Sequence, residues 1–121
     1  MMLTLPPSVK IFVAVEPVDA RKSYDGLSAL VESHFGHDLL AGYLYAFINR
    51  RGHQIQLLFW DRNGICIVKK RLEAGTFSLV RRPDGEATHV EIDAAELALM
   101  LEGIELKDAK RRKRFRPDDK M

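Results

Sequence analysis

Three aspartates, Asp19, Asp25 and Asp61, are the residues of this 121-residue chain that would most directly support catalysis. Carboxylates that converge in space can hold Mg²⁺ for phosphoryl chemistry, so a magnesium-dependent nuclease is one hypothesis. Their spacing matches no known motif, and each also has a structural interpretation. Asp61 begins a turn, and Asp19 or Asp25 begins a helix. We therefore predict no catalytic residue, with Asp25 and Asp61 in structural roles.

The histidines and the single cysteine form no recognisable metal or nucleophile motif. His34 and His37 lie three residues apart, but no second ligand pair at zinc spacing accompanies them. Cys66 alternates with Ile65 and Ile67 in a strand pattern, which predicts a buried, unreactive thiol. A P-loop, a G-x-G-x-x-G turn and an H-E-x-x-H helix are all absent from the sequence. No cofactor and no metal are predicted.

Cationic residues offer a different chemistry, the binding of phosphates. The stretch INRRGHQIQLLFWDRNGICIVKK (48–70) holds two similar turns, NRRG and DRNG, whose final glycines, Gly52 and Gly64, suit φ > 0. In an up-and-down meander, alternate strand ends share one edge, about 10 Å apart. The edge so formed, which either binds phosphates or is simply solvated, contains Arg50, Arg51, Lys69, Lys70 and Arg71. Trp60, beside the second turn, is either a base-stacking or partner-anchoring residue or part of the sheet rim.

The elements that must position these residues follow from hydrophobic periodicity. Residues 9–15 (VKIFVAV) predict a strand, and apolar positions from Leu27 to Phe35 at helical spacing predict a helix that ends near Gly36. Residues 93–96 have capping-box spacing and open a second helix that ends near Gly103. We predict an α+β fold, an antiparallel meander of four to six strands with two helices packed on one face. The further predicted strands are 43–48, 54–60, 65–71, 77–80 and 89–92.

Charge and length predict one domain and a separate tail. The domain would cover residues 1–106, which carry a net charge of −3. Residues 107–121 carry +5 and would form a basic, flexible tail that is either a DNA-contacting arm or a solubility tail. Its central cations are Arg111, Arg112, Lys113 and Arg114. No apolar run approaches the ~20 residues of a membrane span, and a lone cysteine fits a reducing compartment, so a cytoplasmic location is predicted.

Three segments carry box-like patterns: DARKSYDGL (19–27), LYAFINRRGHQIQLLFWDRNGICIVKKRLEAGTF (44–77) and LALMLEGIEL (97–106). With them the chain resembles the TnpB-type accessory proteins of the insertion-sequence-66 family, which are unrelated to the RNA-guided nucleases that share the TnpB name. Ser23 departs from the family pattern, where glycine is frequent, and the tail lies outside it. The matching residues are Asp19, Arg21, Lys22, Tyr24, Asp25, Gly26, Leu27, Arg51, Gly52, Trp60, Asp61, Gly64, Lys70, Arg71, Leu72, Glu73, Gly75 and Phe77.

The resemblance implies a protein encoded in a mobile DNA element that acts beside a separate Asp-Asp-Glu transposase. It implies no catalytic residues. The leading hypothesis is a non-enzymatic accessory factor that binds DNA, the transposase or other accessory proteins of the element, with Arg21 and Lys22 joining the basic edge and the tail. The alternatives are a protein-interaction module without DNA contact and the nuclease described above. Sequence specificity, oligomeric state and the step of transposition are left open.

Overall fold

The structure is a computed structural model that describes residues 8–78, 80 and 84–103. Within these ranges, five β-strands and two α-helices are built around one sheet. A π-helical turn over Leu30–His34 continues the first helix, and a 3₁₀ turn over Leu39–Ala41 precedes the second strand. None of the described helices is long and apolar enough to cross a membrane. In chain order the elements are β1 Ile11–Ala14, α1 Tyr24–Ala29, β2 Leu44–Ile48, β3 Gln54–Asp61, β4 Gly64–Arg71, β5 His89–Ile92 and α2 Ala94–Leu101.

The strands form one mixed sheet in the order β4-β3-β2-β1-β5. β2, β3 and β4 are consecutive antiparallel neighbours, so the predicted meander is confirmed for these three strands. β1 lies parallel to β2, and β5 pairs antiparallel with β1. The parallel pair is possible because a long connection containing α1 separates its strands, and parallel strands need a crossover of roughly a dozen residues or more. The predicted α+β class is confirmed, although the sheet is not antiparallel throughout.

The strand predicted over 77–80 is wrong for the part of it that the structure describes. Phe77, Ser78 and Val80 belong to no strand, and Leu79 lies outside the described residues. Phe77 is buried, and its backbone N–H donates to the carbonyl of Gly52 at 2.6 Å. Phe77 therefore anchors a loop to the core, and burial rather than ladder pairing explains its apolar type.

Apolar side chains are buried on both faces of the sheet. In β1, Ile11 and Val13 belong to one buried cluster, and Phe12 and Ala14 belong to the other. α2 packs on the first side, called here the α2 face, and α1 packs on the second, the α1 face. The prediction that both helices cover one face is wrong, because central strands that are apolar on both sides need a covering layer on each.

The two ends of α2 agree with their sequence signals, whereas the start of α1 has no side-chain cap. The Asp93 carboxylate accepts from the Glu96 N–H at 2.7 Å, and the Glu96 carboxylate accepts from the Asp93 N–H at 3.1 Å, which confirms the capping box. Gly103, with φ of 84°, follows α2 as predicted. Asp25 lies in the first turn of α1, while Ser23 occupies the N-cap position without a side-chain hydrogen bond.

The two look-alike turns have different backbones. In the turn at 49–52, the Gly52 N–H donates to the Asn49 carbonyl at 2.9 Å and Gly52 has φ of 78°, as predicted. In the turn at 61–64, the left-handed residue is Arg62 at 53°, so the prediction that Gly64 takes φ > 0 is wrong. Asp61 pairs directly with Gly64, and a two-residue loop of this kind needs φ > 0 at its first central residue.

Candidate functional site

Three segments of the chain meet at one end of the sheet. β2 enters the turn at 49–52 there, and β4 ends there because Arg71 lies opposite Gln54. Since β1 runs parallel to β2, the segment after β1 reaches the same end, where the Val18 N–H donates to the Ile48 carbonyl at 2.9 Å. We call this the basic end. Its cations are Arg21, Lys22, Arg50, Arg51, Lys69, Lys70 and Arg71.

The predicted meander accounts for only part of the basic end. Arg50 and Arg51 lie at the same end as the end of β4, as the sequential order of β2, β3 and β4 requires. Arg21 and Lys22 join them through the parallel pairing of β1 with β2, which the sequence pattern did not reveal. The segment 19–27, which carries the first family-like pattern, therefore lies beside the turn at 49–52, which belongs to the second.

Arg50 and Arg51 are exposed, and within the described ranges neither forms an ion pair. Their turn is held by Asn49, which is nearly buried: its Oδ1 accepts from the Gln54 N–H at 3.1 Å, and its Nδ2 lies 3.1 Å from His53 Nδ1. These contacts fix the backbone that carries the two arginines. Two free guanidinium groups on a fixed turn are suited to contact an anion that comes from outside the chain.

Gly52 closes the same turn against the loop that follows β4. A Cβ atom at this position would lie 3.1 Å from Thr76 Cβ and 3.2 Å from the Phe77 carbonyl oxygen. The residue is buried and has positive φ, so a side chain here would meet both a steric and a conformational penalty. The prediction that Gly52 is a structural residue thus has a definite geometric cause.

Arg21 is committed to a neighbour in its own segment. Its guanidinium donates to both carboxylate oxygens of Asp19, with Nη2 2.8 Å from Oδ2 and Nε 3.1 Å from Oδ1. The Arg21 backbone N–H also donates to Asp19 Oδ1 at 2.8 Å. The side-chain and backbone hydrogen bonds from Arg21 lower the pKa of the Asp19 carboxyl to about 2. The pair is exposed and nearly neutral, so Arg21 contributes less free charge than the sequence suggests.

Lys22 and Lys69 lie on the α1 face of the basic end. The Lys22 carbonyl accepts from Gln56 Nε2 at 3.0 Å, and Gln56 is a buried residue directly opposite Lys69. A Cβ at Gly26 would lie 3.4 Å from Lys22 Cβ and Cγ, so Gly26 admits the Lys22 stem beside the first turn of α1. Both lysines are exposed. The hydrogen bond from the buried Gln56 amide thereby holds the segment 19–27 against β3.

The three consecutive cations that end β4 do not share one surface. Lys70 Nζ donates to the Leu101 carbonyl at 2.7 Å, at the C-terminal end of α2. Successive side chains of a strand alternate in direction, so Lys69 and Arg71 point toward the α1 face instead. Arg71 Nε lies 3.4 Å from Glu73 Oε2 in an exposed ion pair. Lys70 thus stabilises a helix end, although it was predicted to be a contact residue.

A cleft of about 390 Å³ separates the segment after β1 from the turn at 49–52. It is lined by Pro17, Val18, Asp19 and Ala20 on one side, and by residues 49–51 on the other. The described part of the chain holds no group of three or more His, Cys, Asp or Glu side chains placed to bind a metal. Asp19, Asp25 and Asp61 accordingly do not form a metal-binding group, and Asp61 lies at the opposite end of β3.

Trp60 also lies at the opposite end of β3, opposite Ile65 on β4. Its ring is half-buried against the cluster on the α1 face. It therefore lies at the rim of the sheet, away from the basic end. The tail cations Arg111, Arg112, Lys113 and Arg114 lie outside the described residues. Gly103, the last described residue, lies near Leu72 and Thr76, so the described chain ends at the basic end.

A cluster of aromatic and histidine rings on the α1 face was not predicted. The rings of His37 and His89 have centroids 4.9 Å apart, and Phe35 lies 4.6 Å from His89. Tyr45 OH is 3.2 Å from His37 Nδ1, and burial raises the pKa of Tyr45 to about 12. Burial, with smaller effects of His37 and His34, lowers the pKa of His89. His89 is more than forty residues from the other three rings in sequence, so no spacing signal could have indicated the cluster.

Comparison with known protein families finds one that covers most of the chain. The profile described as IS66 Orf2 like protein matches residues 9–111. The uncharacterized protein y4jC of Sinorhizobium fredii strain NGR234 is 33% identical over 109 residues, which cover 90% of this chain and 91% of that protein. The uncharacterized protein y4hO of the same strain is 29% identical over 104 residues, covering 86% and 88%. No solved structure gives a significant match.

Proposed function

Because the chain belongs to the IS66 Orf2-like family, we propose that it is a non-catalytic accessory factor for DNA transposition whose basic end contacts the DNA backbone. The strand chemistry falls to a separate transposase encoded by the same element. Membership of the family supports a role associated with transposition. The DNA contact is the further step, and it rests on the geometry of the basic end.

The single observation that carries this proposal is the state of Arg50 and Arg51. Both are exposed, both lack an ion-pair partner among the described residues, and both sit on a turn fixed by Asn49 and Gly52. A fixed turn reduces the conformational entropy that the backbone would lose on binding. Guanidinium groups form paired hydrogen bonds with phosphate oxygens, so a phosphate is the anion that this arrangement suits.

Lys22 and Lys69 extend the contact surface onto the α1 face. Both side chains are exposed. Gln56 of β3 brings them together, because its amide binds the Lys22 carbonyl and its backbone lies opposite Lys69. Contacts of this kind position a protein on DNA without reading base sequence. We therefore propose binding that is strongly salt-dependent and weakly sequence-dependent, with specificity supplied by the transposase or by another accessory protein of the element.

The first prediction tests the arginine pair. The double variant Arg50→Glu/Arg51→Glu should bind a fluorescent DNA duplex more weakly at low salt, because two phosphate contacts become repulsive. The slope of log K against log salt is negative, and each lost phosphate contact reduces its magnitude by roughly 0.9. The measurement is fluorescence anisotropy over a series of salt concentrations, with the melting temperature of each variant checked by circular dichroism.

A matched control is Lys10→Glu/Arg62→Glu, which changes the net charge equally. Lys10 precedes β1 and Arg62 lies in the turn at 61–64, so both are at the other end of the sheet. This variant should keep most of the salt slope. Equal losses in both variants would mean that net charge alone governs binding. Absence of DNA binding by the native chain would favour the protein-interaction alternative, which co-purification with the transposase of the same element would test.

A further inference from the structure

β4 is an edge strand whose first five residues, 64–68, carry no charge and no proline to block pairing with another chain. It is the outermost strand on one edge of the sheet, and no described strand pairs with its outer side. Its eight residues pair with β3 one to one from Gln54–Arg71 to Asp61–Gly64, so the strand contains no bulge. Natural proteins guard such edges with bulges, prolines or charges. Here the only charges are at the C-terminal end, Lys69 to Arg71.

The unguarded part of β4 is apolar on both faces. Ile65 and Ile67 are half-buried at the rim of the α1-face cluster, and Val68 is half-buried at the rim of the α2-face cluster. Cys66 is likewise only half-buried, so the prediction of a buried thiol is wrong. A strand added beside β4 would therefore cover apolar surface on both sides while satisfying the outward backbone groups of the edge.

The other edge of the sheet is different. β5 has only four residues, and its central Glu91 is an exposed charge. Short length and a charge on the edge are two of the devices that block strand addition. The contrast identifies β4 as the edge that is open to a partner.

We propose that β4 pairs antiparallel with β4 of a second copy of this chain and joins the two sheets into one. An antiparallel arrangement centred near Cys66 or Ile67 is self-complementary. With the axis at Cys66, Ile65 of each copy lies opposite Ile67 of the other; with the axis at Ile67, Cys66 lies opposite Val68 and Ile65 lies opposite Lys69. In both arrangements the cations of each copy fall beyond the centre. Those cations approach the other copy near its turn at 61–64, where Asp61 and Arg62 leave no net charge. A parallel arrangement would instead align the cations of both copies.

One consequence rests on the proposed function. The two-fold axis of such a dimer reverses the strand direction, so the basic ends of the two copies lie at opposite ends of the combined sheet. The dimer could then hold two DNA segments at once. Dimer formation itself needs no DNA, and Arg50→Glu/Arg51→Glu should dimerise normally, so the two proposals fail independently.

The test is the mass of the full chain in solution, measured by light scattering over a range of micromolar concentrations without DNA. We expect a species of twice 13.8 kDa. Ile67→Lys places a charge at the centre of the edge and should give a monomer. Val90→Lys makes the same change on β5 and should leave the dimer intact. Melting temperatures of both variants establish that they are folded.

Cys66 gives an independent measurement on the unmutated chain, because it is the only cysteine. In the two arrangements above, the Cys66 residues of the copies are directly opposite or diagonal neighbours, within about 8 Å. A short bis-maleimide should therefore link the native chain into a dimer, and Cys66→Ser should abolish the link. A monomer at every concentration would overturn the proposal. So would a dimer that Ile67→Lys leaves intact, or one whose Cys66 thiols do not cross-link.

Discussion

Gly52 shows how strongly one residue can control the candidate site. It combines positive φ with a close approach of Thr76 and Phe77, so the turn that carries Arg50 and Arg51 requires the absence of a side chain. Two other glycines separate these causes. Gly75 has φ of 78° but no neighbour within 4 Å of its would-be Cβ, and Gly64 has neither constraint.

We predict a graded series of alanine variants. Gly75→Ala should lower the free energy of unfolding by about 1 to 2 kcal/mol through backbone strain alone. Gly52→Ala should cost more, by roughly a further 1 to 3 kcal/mol of steric overlap, and should also weaken DNA binding. Gly64→Ala should stay within about 0.5 kcal/mol of the native chain. Urea denaturation of the three variants measures the series; equal values for Gly52→Ala and Gly75→Ala would exclude the steric contribution.

The ends of strands and helices are the next scale, and the end of β4 divides its cations between two tasks. Lys70 turns to the α2 face and donates to the last turn of α2, whereas Lys69 is exposed on the α1 face. The carbonyl groups of a helix C-terminus carry partial negative charge, so an ammonium group there is favourable. Adjacent lysines of β4 thus have different surroundings, and we expect Lys70 to contribute to stability and Lys69 to the proposed DNA contact.

Methionine substitutions should resolve the two tasks. Lys70→Met removes a charge-assisted hydrogen bond to Leu101 and should lower the free energy of unfolding by about 1 to 2 kcal/mol. Lys69→Met should change stability by less than about 0.5 kcal/mol. It should instead remove about one phosphate contact, which reduces the magnitude of the salt slope of DNA binding by roughly 0.9. Unfolding curves and anisotropy on the same two proteins measure this; a reversed pattern would contradict the assignment of faces.

For the whole molecule, the ring cluster on the α1 face links stability to pH. The pKa of His89 is lowered by burial and by His37 and His34. Its folded-state pKa lies below the unfolded value of 6.5, so the unfolded chain binds the proton first as pH falls. Stability should therefore decrease as pH falls through 6.5. Asp19, whose pKa is lowered to about 2, affects stability in a separate pH range, below the ordinary carboxyl pKa of 3.8.

Melting temperatures measured from pH 7.5 to pH 3 should therefore show two separable slopes. His89→Gln should flatten the upper slope, near pH 6.5, and Asp19→Asn should leave it unchanged. In the native chain, protonation of Asp19 below pH 4 weakens its contact with Arg21. Asp19→Asn has no carboxylate at this position to protonate and should therefore lose part of the acid slope. An upper slope that survives in His89→Gln would assign that titration to another histidine.

The tail is a second question at this scale, because the described chain reaches Gly103 at the basic end. Residues 107–121 carry +5, and Gly103, the last described residue before them, lies beside Leu72 and Thr76. We predict that deleting 107–121 weakens DNA binding at low salt and flattens the salt slope, with the melting temperature nearly unchanged. An identical binding curve would identify a solubility tail, and a large loss of stability would mean that the tail packs on the domain.

The sequence by itself determined the local features of this protein. Alternating apolar residues and β-branched residues predicted all five strands, and the capping box and Gly103 predicted the limits of α2. These signals depend only on neighbours along the chain. Sequential hairpins also fixed the position of Arg50 and Arg51 relative to the end of β4. The family-like boxes indicated the family without any coordinates.

Only the tertiary structure decided which faces and ends come together. The parallel pairing of β1 with β2 brought Arg21 and Lys22 to the basic end, and the opposite placement of α1 and α2 followed from strands that are apolar on both sides. The strand pleat separated Lys70 from Lys69, and burial made Phe77 an anchor instead of a strand residue. Such choices depend on contacts between residues far apart in sequence, whose free energy no local pattern contains.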